Sequence, residues 1–186
     1  MTLLILGLIL WTGAHFFKRL APAARGAMQD KMGDASKGVF AVLLVLSVVL
    51  MVMGYRSAPA DFLWGRSVAT TGVNNLMMVA AVALFGLGSS KSRLRKHMRH
   101  PMLTGVIVWA LAHLLVNGDT ASLVLFGGLA VWAVAEMILI NRSEPEYTPY
   151  EGGSAAGDAR LLIITLIIYG VIAGVHTWLG YFPFGG

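Results

Sequence analysis

The sequence predicts an all-α, polytopic membrane protein: six transmembrane helices in one bundle, a single domain over residues 1–186, with both termini outside the cytoplasm. Three observations predict it. Apolar residues make up 57% of the chain and charged residues only 12%, about half the charged fraction of an average soluble domain. Apolar runs near bilayer length follow one another along the chain. Twelve of the fourteen Lys and Arg residues fall in the first, third and fifth connections between those runs, which the positive-inside rule places in the cytoplasm. The net charge of +5 is therefore spread over loops and does not form a nucleic-acid patch. The absence of cysteine excludes disulfides, thiolate metal sites and a cysteine nucleophile.

The first span is Met1 to Phe17, apolar apart from Thr2, Thr12 and His15. No basic residue precedes it, while Lys18 and Arg19 follow at once, so it reads as an uncleaved helix and not a signal peptide. In the loop Lys18–Gly38, the stretch Pro22 to Asp34 is expected to form a short interfacial helix. The second span is Val39 to Tyr55, and Tyr55 and Trp64 fit an aromatic belt at the lipid boundary. The third span, Val68 to Gly88, carries Asn74-Asn75, expected to hydrogen-bond between helices.

Ser89 to His100 is the most basic stretch. The fourth span follows, Pro101 to Val116. Proline suits a first helical position because its missing N–H would have had no helical partner. Gly118 offers a C-cap at the other end. Arg99-His100-Pro101 is expected to fix the start of this helix at the cytoplasmic interface, with Arg99 snorkelling to headgroups or an anionic ligand. The fifth span, Thr120 to Ile140, begins so soon after that a tight antiparallel hairpin is expected. Glu136, near its far end, is expected to pair with Arg142 or an arginine of the third loop. A polar loop, Asn141 to Arg160, leads to the sixth span, Leu161 to Phe182, with Tyr169, His176 and Trp178. Gly127-Gly128 and Gly170-x-x-x-Gly174 read as surfaces for close helix packing.

Depth sorts the polar residues. At about 1.5 Å per residue, His15 lies about 3–8 Å and Glu136 about 6–8 Å from the cytoplasmic boundary. His113 lies about 17–19 Å from it and His176 roughly 22 Å. This gives two layers: His15 with Glu136 inside, and His113 with His176, Asn74 and Asn75 outside. His97 and His100 belong to the basic interface. A histidine at bilayer depth needs a partner; it either donates to a carbonyl or hydroxyl of the protein or holds a ligand, and periodicity alone leaves both open.

The pattern Arg99-His100-Pro101-Met102-Leu103-x-Gly105, continued by Trp109-Ala110-x-Ala112-His113-Leu114-Leu115-x-Asn117-Gly118-Asp119, resembles the NnrU family of small bacterial membrane proteins. Gly13-Ala14-His15 and His176-Thr177-Trp178-Leu179, ending in Pro183, are similar to its terminal patterns. The resemblance covers the whole chain. It implies a multi-pass protein of the bacterial inner membrane, from loci associated with nitrite and nitric oxide metabolism, or denitrification. Zeta-carotene isomerases are relatives in which this fold is thought to hold haem b, with ligand histidines in segments resembling those around His15 and His113. That branch has a cysteine three residues before the second histidine; this chain has Ala110, a departure that bears on ligand-switching chemistry and hence on isomerase activity.

The resemblance implies haem b between helices, with a redox or isomerase-like role linked to nitrogen-oxide or isoprenoid metabolism. A small apolar substrate and membrane lipid are the expected partners. Two iron-bound nitrogens must lie about 4 Å apart, whereas depth separates His15 from His113 by about 10–15 Å. His113 with His176 fits better, with His15 as the alternative partner and Arg99 as a candidate cation for the cofactor's carboxylates. Two other classes stand beside this reading. One is a non-catalytic assembly or regulatory factor with structural histidines. The other is an isoprenylcysteine-type methyltransferase, whose Arg-His-Pro motif is similar, but whose acidic pair is matched here by Glu136 alone.

Overall fold

The structure is a computed structural model and describes residues 1–59 and 61–185. Among these are seven α-helices: α1 (Thr2–Leu20), α2 (Pro22–Met32), α3 (Ala35–Ser57), α4 (Val68–Leu87), α5 (Pro101–Val116), α6 (Thr120–Ser143) and α7 (Ala155–Trp178). Two short strands, β1 (Phe62–Trp64) and β2 (Gly118–Asp119), pair with each other. Five helices, α1, α3, α4, α6 and α7, are long and apolar enough to cross a membrane. The sixth apolar helix, α5, has 16 residues, about 24 Å against a hydrocarbon core of about 30 Å.

The chain groups into two compact units, Met1–Leu63 with Asp119–Pro145, and Trp64–Gly118 with Glu146–Gly186. In the first unit α1 packs against both α3 and α6. Glycine permits that approach. A Cβ on Gly7 would lie 2.8 Å from the Met51 nitrogen and the Ser47 carbonyl oxygen, and one on Gly54 would collide with the backbone of Leu3 and Leu4. The expected interfacial helix is α2. It turns into α3 through Gly33, whose φ of +56° favours glycine. Buried Ser36 holds that elbow, its hydroxyl 2.8 Å from Gln29 Oε1 and accepting from Arg25 at 3.1 Å.

In the second unit α4 packs against α5 and α7. Ser67 and Thr70 form a reciprocal capping box that starts α4. Trp64 Nε1 donates to the Leu114 carbonyl, 2.9 Å away, near the end of α5. Gly118 lets Trp64 sit there, since a Cβ would collide with the tryptophan's carbonyl oxygen and ring.

Helix α5 runs over the residues the sequence predicts. The others differ at their polar ends, where hydropathy gives no signal. Helix α7 begins six residues before the apolar run at Leu161, because Ser154 Oγ accepts from Gly157 N at 3.0 Å and starts the helix early. It stops at Trp178, and Gly180, at φ +89°, turns the chain.

The expected close-packing glycines divide. Gly128 meets Leu8 of α1, with a Cβ 3.0 Å from Leu8 Cδ1, whereas no described atom comes within 4 Å of a Cβ at Gly170 or Gly174.

Candidate functional site

Three histidines on three helices share one local geometry. His15 Nδ1 lies 2.9 Å from the Trp11 carbonyl, His113 Nδ1 2.9 Å from the Trp109 carbonyl, and His176 Nδ1 2.8 Å from the Ile172 carbonyl. A carbonyl only accepts, so each bond requires the Nδ1–H tautomer and leaves the ring's lone pair on Nε2. The same second bond orients metal-ligating histidines. Two of the three also pack at a tilt against a tryptophan one turn earlier, at 4.3 Å between ring centroids for Trp11–His15 and 4.9 Å for Trp109–His113. This Trp-x-x-x-His spacing was present in the sequence, though depth arithmetic gave no reason to single it out.

His113 and His176 both belong to the second unit, on α5 and α7. Both of those helices pack against α4. His15 belongs to the first unit. Asn74 and Asn75 act differently from the expected interhelical pair. Asn74 Nδ2 donates to Asn75 Oδ1 at 3.1 Å, and Asn75 Nδ2 donates to the Pro183 carbonyl at 3.2 Å. They tie the segment after α7 to α4, and Arg66 adds a bond to the Phe182 carbonyl at 3.3 Å.

The inner layer of the first unit joins α1 to α6. His15 lies between two indoles, 4.7 Å from the Trp132 ring as well as against Trp11. One turn further along both helices, Arg19 Nη1 meets Glu136 Oε1 at 2.6 Å, and Arg19 Nη2 lies 3.7 Å from Glu144. This corrects the expected pairing of Glu136 with Arg142 or a third-loop arginine. The ion pair needed a cation at the same depth on a neighbouring helix, and helix α1 supplies it by continuing past Phe17 to Leu20. Four side-chain atoms of this layer are buried with no hydrogen-bond partner: Trp11 Nε1, Arg19 Nε, Trp132 Nε1 and Glu136 Oε2.

The basic stretch before α5 is a 3-10 turn, Arg93–His97. Asp158, in the first turn of α7, accepts from Ser92 Oγ at 2.7 Å, from Arg93 N at 2.8 Å and from Arg93 Nε at 2.7 Å. Arg95 stacks on Tyr150 at 4.3 Å and Arg99 on Tyr147 at 5.2 Å. Arg99 thus lies fourteen residues, or about 21 Å of helix, from His113. An apolar groove of about 520 Å³ runs between α4 and α5, lined by Trp64, Thr70, Met77, Leu111, Leu114 and Leu115 among others. His113 is not among its walls; the three leucines occupy the opposite face of α5.

Among the described residues no three His, Asp or Glu side chains gather to chelate a metal ion. Haem needs less, because a porphyrin brings four of its own nitrogens and asks the protein for one or two imidazoles. The donor chemistry of His113 and His176, with Nδ1–H anchored and the Nε2 lone pair as donor, fits that group.

These features define a multi-helix membrane protein with anchored imidazoles inside apolar helices. The chain belongs to the NnrU family: the family model described as NnrU protein matches residues 3–183. No curated protein and no solved structure matches it.

Proposed function

We propose that this NnrU-family protein crosses the bacterial inner membrane six times and binds haem b in the second unit, where His113 and His176 would hold it, in a redox role. The observation that carries the reading is the placing of those two histidines: both in the second unit, on helices that pack against α4, each with an anchored Nδ1–H and its lone pair on Nε2. Bis-imidazole haem supplies one-electron transfer. The residues' own part is to fix ring orientation through the Trp109 and Ile172 carbonyls and to hold both imidazoles in the metal-binding tautomer. Arg99 has no part in holding the group, because it lies at the far end of α5.

An absorption spectrum of protein purified from haem-replete cells tests the reading. A sharp low-spin Soret band is expected, lost in His113→Ala and in His176→Ala and kept in His15→Ala. Loss in His15→Ala with retention in His176→Ala would instead make His15 the partner of His113. A colourless wild-type preparation would end the haem reading, leaving the histidines as structural hydrogen-bonders in an assembly or regulatory factor.

The span count rests on α5, the one short apolar helix. With α5 crossing, the number of spans is six and both termini lie outside, in accord with the twelve cytoplasmic Lys and Arg. Reporter fusions at Lys96 and Glu151 are expected to read cytoplasmic and a C-terminal fusion periplasmic. A cytoplasmic C-terminus would mean five crossings, with α5 not spanning.

A further inference from the structure

We infer that the 3-10 turn Arg93–His97, together with the first turn of α7, forms a built seat for the headgroup of an anionic phospholipid, distinct from the histidine site. The turn lies between the end of α4 at Leu87 and the start of α5 at Pro101, so it sits where two apolar helices leave the membrane. The backbone at its entry, Lys91 to Arg93, is held by close contacts with the start of α7. Asp158 takes three hydrogen bonds from Ser92 and Arg93. Ser154 N donates to the Lys91 carbonyl at 3.1 Å. A Cβ on Gly157 would collide with that same carbonyl, and one on Gly153, at φ +115°, would meet the Arg93 backbone at 2.7–2.9 Å.

This clasp pairs Arg93 with Asp158, while Arg95 lies against Tyr150 and Arg99 against Tyr147. Lys91, Lys96 and Arg160 are exposed, and they lie within or directly beside the clasped segment. Leu94, in the middle of the turn, is 58% exposed, and Met102 just inside α5 is 62% exposed. Exposed cations on a held backbone, beside open apolar side chains, match an amphiphile, whose phosphodiester meets the lysines and whose glycerol and acyl region receives Leu94. A soluble phosphate satisfies only the charges, and an acidic protein segment leaves Leu94 in water.

A built seat and a merely basic loop respond oppositely to one substitution. Asp158→Ala removes a negative charge, so diffuse attraction to an anionic surface would rise, and it removes the acceptor of all three bonds. It also opens the clasp, so a built seat would lose lipid. The full-length protein, exchanged into detergent with phosphatidylglycerol or phosphatidylcholine, is examined by native mass spectrometry for retained lipid.

The expected results are preferential retention of phosphatidylglycerol, a fall on the order of tenfold or more in Lys91→Gln/Lys96→Gln, and a fall in both Asp158→Ala and Gly157→Ala. Lys18→Gln/Lys31→Gln, in the first loop, is expected to leave retention unchanged and controls for net charge. Thermal unfolding of each variant separates seat loss from misfolding, and Leu94→Ser, which leaves the clasp intact, gives a second test and is expected to weaken retention. Four results would overturn the seat: equal retention of the two lipids, a rise in Asp158→Ala, an equal loss in the first-loop variant, or displacement by millimolar inorganic phosphate. Capture of an acidic peptide in preference to lipid would assign the surface to a protein partner.

Discussion

Arg19→Ala is expected to lower the stability of the detergent-solubilised protein by about 3–5 kcal/mol, the usual cost of stranding one member of a buried ion pair. Glu136 is only 5% exposed, its Oε2 already lacks a partner, and removing the guanidinium 2.6 Å from Oε1 leaves an uncompensated carboxylate at membrane depth. The reverse substitution is not equivalent. In Glu136→Gln the arginine keeps Glu144, 3.7 Å from its second terminal nitrogen, and the amide oxygen can still accept from it. A smaller loss, about 1–2 kcal/mol, is therefore expected. Replacing both residues together, as Arg19→Met with Glu136→Leu, removes the desolvation cost along with the attraction and is expected to recover most of the loss. Thermal unfolding midpoints of the three variants check the series. A double variant as unstable as Arg19→Ala would show that packing around the side chains, and not the stranded charge, sets the effect.

The same pair shows how far the sequence could be read. Composition and loop charge gave the helical membrane class, because both follow from the cost of exposing backbone and charge to lipid. The bounds of α5 were legible because proline and the Asn117-Gly118 turn mark its ends chemically. Depth arithmetic grouped His113 with His176 and His15 with Glu136, since a helix advances by a fixed rise per residue. What depth could not give was azimuth or neighbour. Glu136 and Arg142 share one helix, but the residue facing Glu136 is Arg19, 117 positions earlier, and nothing in either local sequence says that α1 and α6 adjoin. Asn74-Asn75 likewise looked like an interhelical pair, and the structure binds it to the carbonyl of Pro183. The clasp of Asp158 on Ser92 and Arg93 was hidden for the same reason. The division into two units was also out of reach, because each unit is assembled from two separate stretches of chain.

The glycines differ sharply in what surrounds them. By spacing, Gly127-Gly128 and Gly170-x-x-x-Gly174 looked like close-packing surfaces; Gly128 does meet α1, but the tightest approach in the first unit is made by Gly7 and Gly54, 47 positions apart and on different helices. On α3, a Cβ at Gly54 would overlap the backbone of Leu3 and Leu4. Backbone cannot rotate aside as a side chain can, so α1 and α3 would have to separate along their length and loosen Leu4, which is fully buried. Gly54→Ala is expected to cost about 1–3 kcal/mol by overpacking, despite alanine's better helix propensity, and Gly54→Leu more. Gly170→Ala on α7 meets no described atom within 4 Å and is expected to leave stability unchanged or slightly raised. The unfolding midpoint of the solubilised protein distinguishes the two positions. If Gly54→Ala and Gly170→Ala are equally harmless, α1 and α3 are not packed backbone to backbone. If both are equally harmful, Gly170 serves a contact outside this chain, such as a second copy or a partner helix in the membrane.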